Sequence, residues 1–224
     1  YLHSNNAVPN IEKYSPNARY IVCLRNPVEM AYSLHEQQIV NGNENIVDFQ
    51  KAWKLNEERA KGRSVTHWCR EAQHLVYGNA CKLGEQLERL LSRVDYTRVL
   101  PIVLDDIKQD PRQEYLKVLS FLGIEDDGRT DFTVHNTAKE RKSPLLGKIV
   151  VLAGRAKRKL GIFKGFGILN KIVRKNVTYR KRVPMSSDMR FELESYFRAD
   201  IKKLETLLNR DLSCWIKSQG PYKK

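Results

Sequence analysis

Arg25, in the run RYIVCLRNPVEMAYSLH of residues 19–35, stands where an apolar stretch ends and a helix signal begins. A guanidinium stays charged at every working pH and presents a planar fork of donors that matches the oxygens of a phosphate or carboxylate. Asn26 follows as a helix N-cap and Pro27 as the first helical residue, so free backbone N–H groups and the positive end of a helix dipole lie beside that charge. An oxyanion is the natural guest of such a corner. Ser33 comes seven residues after the cap, and seven steps of about 100° return it to nearly the same angle two turns along. An arginine and a hydroxyl so placed can grip one phosphate from two sides. The bland alternative is an arginine paired with a nearby acid and a serine packed incidentally.

A second pattern invites metal chemistry and fails on distance. His67, His74 and Cys81 recur every seventh residue on a predicted helix. Seven residues of helix separate successive members by roughly 10 Å, too far for one ion, whereas helical ligand pairs sit three or four residues apart. No metal site is expected. The cysteines Cys23, Cys69, Cys81 and Cys214 show no CxxC pair, which fits free thiols in a reducing compartment and hence a cytoplasmic protein.

The elements that must position Arg25 follow from the pattern around it. YIVCL, residues 20–24, is a continuous β-rich run expected to be a strand buried on both faces, as in the centre of a parallel sheet. The helix opened by Pro27 runs to about Ile39, where Asn41 and Gly42 stop it. Residues 1–18 read as loop with one brief helix. Helical patterning resumes over 48–60 and again from about Thr66 to Arg93. RVLPIVLDD, residues 98–106, is a second strand whose Pro101 marks a strand start or a sheet edge. Asp110-Pro111-Arg112-Gln113 has the form of a capping box, opening a helix expected to bury Tyr115, Leu116, Leu119, Phe121 and Leu122 before Gly123 closes it. A last helix spans about Ser186–Leu208, with Leu193, Tyr196, Phe197, Ile201, Leu204, Leu207 and Leu208 on one face. Strands separated by long helical stretches predict an α/β domain with a parallel sheet.

The 224 residues suit one domain, 1–224, with a sizeable core; 41% are hydrophobic, and no apolar run reaches the length that spans a bilayer. Charge is distributed unevenly. Residues 139–182 hold 15 Lys or Arg and one acid, Glu140, out of a net charge of +14. The remainder of the chain, with 25 bases and 25 acids, is neutral. That basic segment, predicted as short helices interrupted by Gly161, Gly165 and Gly167, is where polyanions, phosphates or an anionic membrane are attracted. It can line an entrance for an acidic glycan, lie on anionic lipid, or be a solvated face over an apolar stripe.

LRNPVEMAYS resembles the 3′-phosphate-binding motif of the sulfotransferases that use 3′-phosphoadenosine 5′-phosphosulfate (PAPS). In that family the arginine and the serine eight residues later hold the donor's 3′-phosphate, and Arg25 and Ser33 stand at those two positions. The likeness extends through YLHSNNAVPNIEKYSPNARYIVCL, through VLPIVLDDIKQDPRQEYLKVLSFLGI, and into HNTAKERKSPLL and YFRADIKKLETLLNRDLSCW, so it covers essentially the whole chain. Bacterial members and Golgi glycan-modifying relatives are nearest in style. The resemblance implies a P-loop NTPase-like parallel β-sheet flanked by helices, with a helical C-terminal part. It implies PAPS as co-substrate, no metal, and transfer of a sulfuryl group to a hydroxyl or amine of a glycan, lipid or small molecule. Lys139, Arg141 and Lys142 resemble the basic loop that closes over the nucleotide.

Three departures from the family pattern stand out. Met30 replaces a common arginine, and Leu83 stands near the position of a tyrosine that helps form the donor pocket. The lysine-bearing phosphosulfate loop would lie upstream of Tyr1, where an anchor leading to the Golgi lumen would also lie. The base that accepts the acceptor's proton is unassigned; His3 is a weak candidate. The alternative class is a non-catalytic basic domain that binds anionic glycan, nucleic acid or membrane, in which Arg25 has no special role.

Overall fold

The computed structural model describes residues 2–66, 69, 72–133 and 184–216, with the backbone alone of 139–141 and 177–179. In chain order its elements are α1 (Ala7–Tyr14), β1 (Tyr20–Leu24), α2 (Pro27–Asn41), α3 (Phe49–Trp53) and α4 (Asn56–Ala60). A 3-10 turn (Ala72–Leu75), α5 (Tyr77–Ala80), α6 (Leu83–Leu91), β2 (Val99–Val103), α7 (Leu104–Gln109) and α8 (Pro111–Leu122) follow. The short strands β3 (Lys139–Arg141) and β4 (Val177–Tyr179) precede the long helix α9 (Ser187–Leu208) and a 3-10 turn at Ser213–Trp215. Two compact units result, one of Tyr1–Met30, Ala80–Val134 and Ser186–Lys224, the other of Ala31–Asn79 and His135–Met185.

In the first unit β1 and β2 pair in parallel, from Tyr20 opposite Val99 to Leu24 opposite Val103. A parallel pair requires a crossover, and the 74 residues between the two strands supply it. Val22 and Leu24 are buried while Ile21 and Cys23 are exposed, so β1 buries one face and not the two its unbroken apolar sequence predicts. Pro101 lies in the middle of β2, opposite Val22, and not at its start. A proline is tolerated there because β2 has one strand neighbour among the described residues, the edge condition its sequence predicts. The strand stops at Val103, three residues short of the expected end, because Leu104–Gln109 turns at once into α7.

Helix α9 lies against α6 in this unit. Leu193, Phe197, Ile201 and Leu204 of α9 are fully buried, with Leu87 and Leu90 on α6, while Tyr196 is exposed and Leu207 and Leu208 are half-buried. Ser186 caps α9, its hydroxyl accepting the Met189 N–H at 3.3 Å. Asp110 caps α8 by accepting the Gln113 N–H at 2.9 Å, and Gly123 ends that helix in the left-handed region at φ 71°. Of the side chains predicted to be buried on α8, Leu119 is; Leu116 is exposed, and Tyr115, Phe121 and Leu122 are half-buried. The amphipathic stripe there is narrower than the residue types imply.

In the second unit the last three turns of α2 are joined by α3, α4, the 3-10 turn and α5 around Ala31, Phe49, Trp53, Leu75 and Tyr77. The helical patterning over 48–60 resolves into two five-residue helices, the first capped by Asp48 on the Lys51 N–H at 3.0 Å. The continuous helix expected over 66–93 is broken: a 3-10 turn, α5 and α6 replace it, and His67 lies outside the described residues. Strands β3 and β4 pair antiparallel, Lys139 opposite Tyr179 and Arg141 opposite Val177. They bring together the two ends of the basic segment, whose interior lies outside the described residues.

Candidate functional site

Arg25 occupies the corner its sequence predicts, between the last residue of β1 and the first of α2, and is half-buried. The turn around it is tightly specified. Asn26 accepts the Val28 N–H on Oδ1 at 2.9 Å, which is the N-cap bond, and its carboxamide nitrogen donates to the Trp215 carbonyl at 3.3 Å. Pro27 and Val28 are buried, and Glu29 in the first turn pairs with Arg190 of α9 at 2.6 Å. The start of α2 is thereby fixed from two later segments of the chain.

The charge of Arg25 is felt at Cys81. Burial pushes that thiol well up from its ordinary range, and the guanidinium pulls in the opposite direction. Arg25 therefore lies within electrostatic reach of the link between α5 and α6. Just after that link Leu83, the first residue of α6, is 4% exposed, so the side chain at the tyrosine-like position is packed into the core.

The N-terminus of α6 is itself occupied by an anion. Asp200, buried on α9, accepts the Gly84 N–H at 2.9 Å and the Glu85 N–H at 2.8 Å. Burial raises its carboxyl above the usual range while these two bonds act to lower it. Gly84 permits the approach: a Cβ there would lie 2.4 Å from the Asp200 carbonyl oxygen. The sequence carried a sign of this cap, since Asp200 falls on the stripe of Phe197, Ile201 and Leu204, where a carboxylate must find partners.

Beyond the C-terminal end of β2, Asp105 accepts the Trp215 indole N–H at 2.9 Å, and Asp106 forms a two-pronged pair with Arg210. These contacts join residues more than a hundred positions apart, and nothing in local spacing reveals them. Ser33 is half-buried in the second full turn of α2, at the helical register its sequence assigns. Met30 is half-buried in the same helix. Lys139 and Arg141 belong to β3, and Lys142 lies outside the described residues. A strand thus replaces the loop expected at 139–141. His3 precedes α1 and is half-buried.

Among the described residues no cluster of three His, Cys, Asp or Glu side chains is arranged to hold a metal ion. All four cysteines are free thiols. Among the described residues no helix is long and apolar enough to cross a membrane.

The Arg25 corner lies at the carboxyl end of a parallel β pair, the edge at which open α/β sheets bind their ligands. The sulfotransferase domain family matches residues 3–145, and the chain belongs to that family. A solved structure, a sulfotransferase from Alicyclobacillus acidocaldarius, shares the fold with a TM-score of 0.63 at 22% sequence identity. The likeness covers 96% of this chain and 64% of the other, so the chain spans less than two thirds of that protein's length. The fold is accordingly the P-loop-like α/β fold, a parallel sheet with flanking helices. No curated protein matches the sequence.

Proposed function

We propose that this protein is a PAPS-dependent sulfotransferase in which Arg25 and Ser33 hold the donor's 3′-phosphate. The observation that carries the reading is the Arg25 corner: a guanidinium between β1 and α2, beside a capped helix start, in a chain of the sulfotransferase domain family. Charge-assisted bonds from a guanidinium and a hydroxyl suit a dianionic phosphate, and the dipole of α2 adds to them.

In the reaction the acceptor's hydroxyl or amine attacks sulfur in line. The bond from sulfur to the 5′-phosphate oxygen breaks, adenosine 3′,5′-bisphosphate leaves, and the acceptor's proton passes to a base. By analogy with phosphoryl transfer, the protein mainly positions the reactants and stabilises charge on the leaving phosphate. Arg25 and Ser33 contribute to the first task by anchoring the nucleotide away from the reacting bond. The acceptor class is a glycan, lipid or small molecule. The basic segment 139–182, with Lys139, Arg141 and Lys142 at its start, serves to attract an anionic nucleotide or acceptor.

Calorimetric titration of the full-length protein with adenosine 3′,5′-bisphosphate tests this. Arg25→Ala should weaken binding by roughly 1.5–3 kcal/mol, the range for a hydrogen bond to a charged group. Equal affinity in wild type and variant would overturn the assignment of Arg25.

A further inference from the structure

Trp215 is 3% exposed in a 3-10 turn outside the residues that match the family. Its indole N–H and its backbone carbonyl reach the ends of both strands of the parallel pair. Leu24 and Val103 are the last residues in register, and Asn26 and Asp105 each stand two positions further on. The Trp215 indole N–H donates to Asp105 Oδ2 at 2.9 Å, and the Trp215 carbonyl accepts the Asn26 carboxamide N–H at 3.3 Å. Asn26 in turn keeps Oδ1 on the Val28 N–H at 2.9 Å. One tryptophan thus ties the residue between Arg25 and Pro27 to the end of the neighbouring strand.

The segment that presents Trp215 is anchored along its length. Arg210 pairs with Asp106, the Leu212 N–H donates to Glu205 Oε1 at 2.8 Å, and the Trp215 N–H donates to the Leu212 carbonyl at 2.8 Å. Asp105 also pairs with Lys108 at 2.9 Å, an exposed contact that makes no link to the Arg25 turn. A carboxamide has two ends. With its N–H held by the Trp215 carbonyl, Asn26 has its oxygen aimed at the helix start, and the preceding residue is constrained in the conformation that places the guanidinium.

We propose that Trp215 is a positioning residue for Arg25, acting through Asn26 and anchored by its indole on Asp105. The inference rests on the reading of Arg25 as the 3′-phosphate ligand. It assigns to the segment after α9 a share in nucleotide recognition without requiring it to touch the nucleotide.

The test compares the affinity of the full-length protein for adenosine 3′,5′-bisphosphate with that for adenosine 5′-phosphate, which lacks the 3′-phosphate. Their ratio measures what the 3′-phosphate contributes. Trp215→Phe keeps the buried ring but removes the donor, and should reduce that ratio by about threefold to tenfold, the worth of one hydrogen bond, while leaving affinity for adenosine 5′-phosphate nearly unchanged. Asp105→Ala should do the same, and the double variant no more than either single one, because all three break one connection. Asp105→Asn, which keeps an acceptor for the indole, should retain the wild-type ratio. Should Trp215→Phe fail to fold, Asp105→Ala reads the same bond from its more exposed side.

A ratio that falls in Arg25→Ala but stays at the wild-type value in both Trp215→Phe and Asp105→Ala overturns the proposal and leaves the assignment of Arg25 standing. Equal loss of affinity for both nucleotides also overturns it, as that is the mark of general destabilisation. A ratio unaffected by Arg25→Ala overturns the reading of Arg25 and this inference with it.

Discussion

Around Glu44 the second unit places four polar side chains in its interior. Glu44 and Arg59 have fully buried side chains 2.7 Å apart, the Tyr77 hydroxyl donates to Glu44 at 2.8 Å, and His35 bonds the Ile46 carbonyl through Nε2 at 2.8 Å. The Asn45 and Ile46 N–H groups also reach Glu44, at 2.9 and 3.0 Å. Burial works to raise the Glu44 carboxyl, and these donors outweigh it and hold the group below its ordinary range. Such a pair costs much to desolvate, and its value lies in fixing one arrangement of the loop after α2.

His35 gives this cluster a pH signature. Burial among Phe49 and Tyr77 lowers its imidazole below the ordinary value, against the Ile46 carbonyl and the charges of Glu44 and Glu36, with Arg59 adding to the lowering. The folded protein therefore takes up the proton later than the unfolded chain does. Stability from this group is complete above the unfolded value of about 6.5 and is lost as pH falls toward the folded value. Urea denaturation between pH 7.5 and 5.5 should show stability declining on acidification. His35→Gln should flatten that decline, and an equal decline in the variant would assign it to other groups. Arg25, the Asn26 cap and Pro27 are readable from the sequence because their signals are adjacent residues. Glu44 and Arg59, fifteen positions apart with no shared periodicity, are not.

Elements announced by their own ends were legible. The start of α2, the Asp110 cap, Gly123 and the Ser186 cap each join a local residue type to a local bond, and the structure has the helices there. Elements set by distant partners do not announce themselves in this way. The apparent helix over 66–93 breaks ahead of α6, whose first N–H groups are satisfied by Asp200 from α9. Gly84→Ala tests how tightly these two helices are fitted. With a Cβ 2.4 Å from the Asp200 carbonyl, the variant should lose about 1–3 kcal/mol in chemical denaturation, although alanine favours a helix over glycine. An unchanged stability would mean that α6 and α9 separate at little cost.

Across the full chain, the order of strands and helices carries the α/β class, and the resemblance of LRNPVEMAYS to the sulfotransferase motif carries the family. The sequence could not specify that β1 is covered on one face alone, because an unbroken apolar run is compatible with one buried face or two. Nor could it show that the chain after α9 returns to both strand ends, since that depends on three contacts between residues more than a hundred positions apart. These contacts converge on the carboxyl edge where Arg25 stands. The excess charge of residues 139–182, set against a neutral remainder, adds a long-range attraction for anions that weakens with salt.

A crystal structure of the full-length protein with adenosine 3′,5′-bisphosphate tests the roles of Arg25 and Ser33 at the 3′-phosphate. The 3′-phosphate oxygens should lie at hydrogen-bonding distance, about 2.7–3.2 Å, from the Arg25 guanidinium and the Ser33 hydroxyl. A bound nucleotide whose 3′-phosphate contacts neither side chain would contradict both roles.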